Sequence, residues 1–207
     1  MDQHPRSGLR TALTAIEHVT DFIGYFESCE SLLRQNGRAV LAIPDKRFIF
    51  DTLRFPTSTG DVLEAWGHRH NRHSPARVFD FFSSFSTLGD LHTWDKAAFG
   101  ASRLGNDLGT SRAWFDAACR NDDYIDVHAW TLTPASFRLI IRDLNEMEII
   151  GLRIAELVSD GTFEFYVSLT KDADPDARSR TELLMDVHRE QLVSSLQLLG
   201  SNGQLGL

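Results

Sequence analysis

The sequence predicts an α/β protein with a mainly parallel sheet, an irregular helical insertion, a closing antiparallel hairpin and a C-terminal helix. Three observations predict it. Ala39 to Ile43 is an unbroken uncharged run between Gly37 and Pro44, which reads as a strand buried on both faces, because a half-exposed strand would alternate. Upstream, Phe22, Phe26, Cys29 and Leu33 recur at helical spacing, with Tyr25 and Leu32 beside them, so a helix lays its apolar stripe on that sheet. Glu148 to Val158 and Thr162 to Thr170 are two strand-like runs joined by Ser159-Asp160-Gly161, a hairpin turn.

The elements follow in order. Met1 to Gly8 is polar, and Leu9 to Ile16 is an apolar patch that suits a short strand or a helical turn. The first helix spans Asp21 to Leu33, with Asp21 able to cap its start and Gly37 suited to the left-handed residue that ends it. After the strand, Phe48, Ile49, Phe50 and Leu53 stay apolar. Ser58 or Thr59 then caps a helix that buries Val62, Leu63, Ala65 and Trp66. From Gly67 to about Asp122 the pattern weakens into an insertion rich in His, Arg and aromatic residues. It fits either a lid or binding loop or a structural cap over the sheet. Ile125 to Trp130 alternates like a strand or an extended approach to one. Thr133-Pro134 opens a helix with Phe137, Ile140, Ile141 and Leu144 on its apolar face. In the second hairpin strand Phe163, Phe165, Val167 and Leu169 share one side. Asp174-Pro175 opens a last helix to about Leu199, striped by Leu184, Val187, Leu192, Leu196 and Leu199. Residues 1–171 read as a single partial domain, with the insertion at about 67–122, and 172–207 as a helical tail.

Composition bounds the function. The chain has 207 residues, 42% hydrophobic and 24% charged, enough for one domain with a sizeable core. A formal charge of -8 argues against nucleic acid as partner, since phosphate binding needs concentrated basic surface. Two distant cysteines, Cys29 and Cys119, give no disulfide framework. No apolar run approaches the roughly 20 residues that span a bilayer, and Met1 to Arg10 lacks a secretory core. The expectation is a cytoplasmic protein with a small-molecule partner and no membrane partner.

Ile16-Glu17-His18-Val19-x-Asp21, Leu32-Leu33-x-x-Asn36-Gly37-Arg38 and Ala42-Ile43-Pro44-Asp45-Lys46-Arg47 together resemble the second half of a class I S-adenosylmethionine-dependent methyltransferase. There a "hEHv.D" segment follows the fourth strand and "LL.pGG.l.l..P" leads into the fifth. Pro44 to Thr57, PDKRxxFDxLRxxT, and Asp126 to Phe137, DVHxWxxTPxSF, are similar to one bacterial subgroup of methyltransferase-domain proteins. The resemblance runs from about Ala15 to Lys171, and its closing hairpin corresponds to Glu148 to Thr170. It implies a partial Rossmann-like sheet and S-adenosylmethionine as cofactor. The departure is upstream: no G-x-G precedes Glu17, so the glycine turn that cradles the cofactor is missing from this chain and binding by the chain alone is in doubt. One sheet edge is then left unpaired, and a homo-oligomer through that edge is expected.

The resemblance implies that Ile16, Glu17 and His18 border the cofactor, and that His18 can take a proton from a methyl acceptor of small-molecule or sugar type. Asp45, which can accept a hydrogen bond from a substrate hydroxyl, and His128 are the other candidate catalytic residues. Lys46 and Arg47 can hold an anionic group, with Asp51, Arg54, Asp126 and Trp130 as further substrate-side residues. Asp45, Asp51, Lys46, Arg47 and Arg54 equally suit a surface ion network. Asp126, two residues from His128, can point to the same side and fix its tautomer. His68-x-His70-x-x-His73 is a weak zinc pattern, because Arg69, Arg72 and Arg77 oppose a dication, and no metal ligand is assigned. Two alternatives stay open: a catalytically inactive remnant or interaction module, and, more weakly, a metal-dependent hydrolase on His68, His70, His73 and His128. No G-x-S-x-G elbow, Walker loop or CxxC is present.

Overall fold

A computed structural model describes residues 11–13, 15–69, 71–93 and 102–200. The fold is mixed α/β. One sheet has the order β1 (Thr11–Leu13), β2 (Ala39–Pro44), β6 (Glu164–Thr170) and β5 (Arg153–Val158). Around it lie α1 (Phe22–Leu32), α2 (Thr59–His68), α5 (Pro134–Glu146) and α6 (Arg180–Gly200). The insertion holds α3 (Pro75–Ser84), α4 (Leu108–Arg120) and a two-stranded ribbon of β3 (Ser86–Thr87) and β4 (Arg103–Leu104).

Two expectations for the sheet need correction. Only β1 and β2 run parallel; β6 lies antiparallel to β2 with Ala39 opposite Leu169, and β5 is antiparallel to β6. The sheet is therefore mainly antiparallel, because the closing hairpin supplies half its strands. Nor is β2 buried on both faces. Ala39, Leu41 and Ile43 are buried, whereas Val40, Ala42 and Pro44 are half-buried. The alternation was hidden because the outward residues are apolar too.

The core forms where α1, α5 and the inner sheet face meet. Phe22, Phe26, Phe137, Ile140, Leu41, Ile43, Phe165 and Val167 are each closed to solvent. Phe137 stacks edge to face with both Phe26 and Phe165. Asp21 caps α1 by accepting from Gly24 N at 2.9 Å, and Thr133 with Ser136 forms the capping box of α5. The residue with positive φ after α1 is Asn36, at 58°, not Gly37. Gly161, at φ 81°, makes the β5–β6 turn. Phe163 precedes β6 and is 45% exposed.

The last helix starts at Arg180, later than expected, where Ser179 and Glu182 cap each other's backbone N–H. Its predicted stripe is rotated: Leu183 and Ser194 are buried while Leu192 and Leu196 are exposed. It docks on α5 through polar bonds, Arg180 to Asp143 at 2.8 Å and the Ala135 N–H to Glu190 at 3.1 Å. Asp143 also accepts from Thr59 Oγ1 on α2. In α2 the cap is Ser58, and Val62 and Ala65 are buried, but Trp66 is 37% exposed. Met1 to Gly8, Trp94, Phe99, His70 and the side chain of Leu199 lie outside the described residues.

Candidate functional site

The site lies where the turn after β1 meets the segment that leads into α5. Ile16–His18 forms a single 3-10 turn directly after β1. Its Glu17 carbonyl accepts the backbone N–H of Ala129 at 2.7 Å and of Trp130 at 3.3 Å. That clamp brings His18 beside His128, across 110 residues of chain, with ring centroids 4.7 Å apart and nearly perpendicular planes. Phe50 and Phe81 flank the His128 ring.

Each imidazole is oriented by a carboxylate. His18 Nδ1 lies 2.7 Å from Asp126 Oδ1, and His128 Nδ1 lies 2.6 Å from Asp51 Oδ2. A carboxylate on Nδ1 fixes the tautomer that leaves Nε2 as the acceptor. Asp126 thus serves His18 and not its sequence neighbour His128, correcting the expected pairing. The reason is that residues 124–128 belong to no strand, so no sheet ladder imposes alternation on them. Tyr124 closes the outer end, its one hydroxyl proton shared between His18 O at 3.1 Å and Asp126 Oδ1 at 3.2 Å.

Asp51 is buried and also accepts from Arg54 NH1 at 2.8 Å; the same nitrogen donates to His128 O at 2.7 Å. Burial alone would push the Asp51 carboxyl up, but the His128 hydrogen bond and the Arg54 charge outweigh it and hold it below the usual range. Asp126 is likewise held down, its desolvation overcome by His18 and Tyr124.

Glu17 is 8% exposed and its Oε1 sits 3.7 Å from His18 Nε2, while Oε2 has no hydrogen-bond partner. One donor atom from each of Glu17, His18 and His128 lies within 4.8 Å of the others. His18, Tyr25, Ser28, Asn71 and Tyr124 line an open groove at this point.

The other expected residues are elsewhere. Ile16, in the same turn as Glu17 and His18, is fully buried in the core. Asp45 is closed to solvent and gripped by Arg47, whose Nε and NH2 donate to its two oxygens. Lys46 is also closed to solvent, its Nζ donating to Thr52 O at 3.0 Å, and burial, partly offset by Asp51 and Asp45, pulls it down to about 8. Trp130 is buried, with Nε1 donating to Val19 O at 2.7 Å and Arg77 over its ring. His68 is exposed at the end of α2, and His73 is buried against Tyr124, its Nε2 3.3 Å from the hydroxyl. Burial moves His73 down to about 4.

Sequence reasoning named Glu17, His18, His128, Asp51 and Asp126 but not their grouping. It missed Tyr25 and Tyr124, for which no sequence signal existed. No family model, curated protein or solved structure matches the chain.

Proposed function

We propose that this chain carries the acceptor side of an S-adenosylmethionine-dependent, methyltransferase-like domain, in which His18 and His128 bind and deprotonate a small hydroxyl or amine acceptor. The supporting observation is the pair of carboxylate-oriented imidazoles, 4.7 Å apart, beyond the carboxyl end of the parallel strand pair. Sheets with parallel strands take their ligands at that end. The antiparallel hairpin against β2 agrees with the closing hairpin that the resemblance implies. A partial Rossmann-like sheet is the finer form of the same reading.

The residues present fit the rim of the cofactor and not its cradle. Glu17 Oε2 is buried without a partner at this point, and a sulfonium cation suits the carboxylate. No G-x-G stands ahead of Glu17. When bound, the cofactor supplies the methyl group. The chain's own part is to position the acceptor's nucleophilic atom and to receive its proton at a free Nε2, that of His18 being the nearer to the groove.

Calorimetric titration of the purified chain with S-adenosylmethionine tests this. Weak, saturable heat that His18→Ala reduces is expected. No heat at high-micromolar ligand overturns the methyltransferase reading and leaves an interaction module in its place.

A further inference from the structure

We infer that Glu17, His18 and His128 form a binding site for one divalent transition-metal ion of the zinc, manganese or iron(II) class. Two observations carry it independently. The first is geometric: a carboxylate oxygen and two ring nitrogens, one from each residue, fall within 4.8 Å of one another. Two histidines and one carboxylate, with a further position open to water or substrate, are a donor set such ions take. The second is the orphaned oxygen. Glu17 is more than nine-tenths buried, and its Oε2 has no partner. A buried carboxylate oxygen without a hydrogen bond is costly unless something unseen satisfies it.

The surrounding groups complete the pattern. Metal-bound imidazoles characteristically hold a carboxylate on the ring nitrogen that does not ligate. Asp126 does this for His18 at 2.7 Å and Asp51 does it for His128 at 2.6 Å. Both Nδ1 atoms are thereby engaged, which leaves the two Nε2 atoms to ligate as neutral lone-pair donors. Arg54, which bonds to the His128 carbonyl, is also paired with Asp51. The two backbone bonds from Ala129 and Trp130 to Glu17 O fix the ligand-bearing segments against each other before any ion arrives. Of the three ligands, His18 also lines the open groove of Tyr25, Ser28, Asn71 and Tyr124, through which a small molecule could reach the ion. An ion there would take a hydroxyl or carboxylate oxygen of the small molecule and lower the pKa of a bound hydroxyl. With the ion bound, the imidazoles act as ligands and the hydroxyl proton leaves to solvent.

The ion site stands on these three side chains and does not need the methyltransferase reading. Zinc and manganese(II) titrations, by calorimetry and by manganese spin resonance, test it without the cofactor. The expected result is one ion per chain, with binding weakened at least a hundredfold in Glu17→Gln and in His128→Asn. Asp126→Asn, a change at an exposed side chain, should weaken it by about tenfold, and His68→Gln should leave it unchanged. Circular dichroism confirms that each variant is folded. Absence of a stoichiometric ion, or binding indifferent to Glu17→Gln and Asp126→Asn, overturns the inference. Failure of S-adenosylmethionine to bind while zinc does removes the methyltransferase reading alone.

Discussion

His128 and Asp51, 77 residues apart in sequence, meet at 2.6 Å inside the protein, and Arg54 bonds to both, to the Asp51 carboxylate and the His128 carbonyl. This triad joins the loop after β2 to the segment before α5 and holds the His128 ring at the candidate site.

Removing Asp51 should therefore be costly well beyond a surface ion pair. The Arg54 side chain is only 5% exposed, so Asp51→Ala strands a buried guanidinium. Breaking a buried pair by deleting one partner costs about 3–5 kcal/mol. Urea denaturation should show a loss of that order, with Asp51→Asn intermediate. A loss below about 1 kcal/mol, the range of an exposed pair, would mean the triad is not formed in solution.

Lys46 gives an alkaline signature. Burial, partly offset by Asp51 and Asp45, lowers it from 10.5 to about 8. The unfolded chain thus binds more protons between those values, and stability should rise with pH across about 8 to 10.5. Each pH unit in that window is worth up to about 1.4 kcal/mol. Lys46→Met has no ammonium to bury and should be flat where the wild type slopes. Parallel slopes in the two proteins, by guanidinium denaturation at about pH 8 and pH 10, would refute the burial of the ammonium.

How much of this was legible follows from distance along the chain. The caps of α1, α2 and α5 and the Gly161 turn are local chemistry, and Asp21, Ser58, Thr133 and Gly161 announced them. The antiparallel pairing of β2 with β6 was not, because Ala39 finds Leu169 across 130 residues. Periodicity sees hydrophobicity, not partners. Likewise His18 and His128 stood out as residue types, but nothing local assigns Asp126 to the first and Asp51 to the second. Asp45, Lys46 and Arg47 looked like exposed chemistry at a strand end. The first two are instead buried, Asp45 ion-paired with Arg47 and the Lys46 ammonium donating to Thr52 O.

His73 gives the opposite limb of the pH profile. The residue is 4% exposed and burial, the largest influence, lowers its imidazole from 6.5 to about 4. The unfolded chain takes up the proton first as pH falls through that window, so stability should drop from pH 6.5 toward 4. His73→Phe keeps an aromatic ring against Tyr124 and has no proton to gain. Thermal unfolding at about pH 7 and pH 5 should show a smaller difference in the variant than in the wild type. An equal difference would show that His73 does not titrate as a buried base.

Self-association should run through β1. Among the described residues, Thr11–Leu13 pairs with β2 on one edge and with no strand on the other. An unpaired strand edge is a template for a second chain. In a strand, neighbouring residues direct their N–H groups to opposite edges. Of Ala12 and Leu13, one therefore points its N–H to β2 and the other away. Proline at the outward position deletes only the free donor, so it should leave the fold intact and abolish association, whereas proline at the inward one should destabilise the sheet. Light scattering across a concentration series checks this: the wild type should grow in mass with concentration and one of the two variants should stay a folded monomer. A wild type that remains monomeric at all concentrations would show that this edge recruits no second chain.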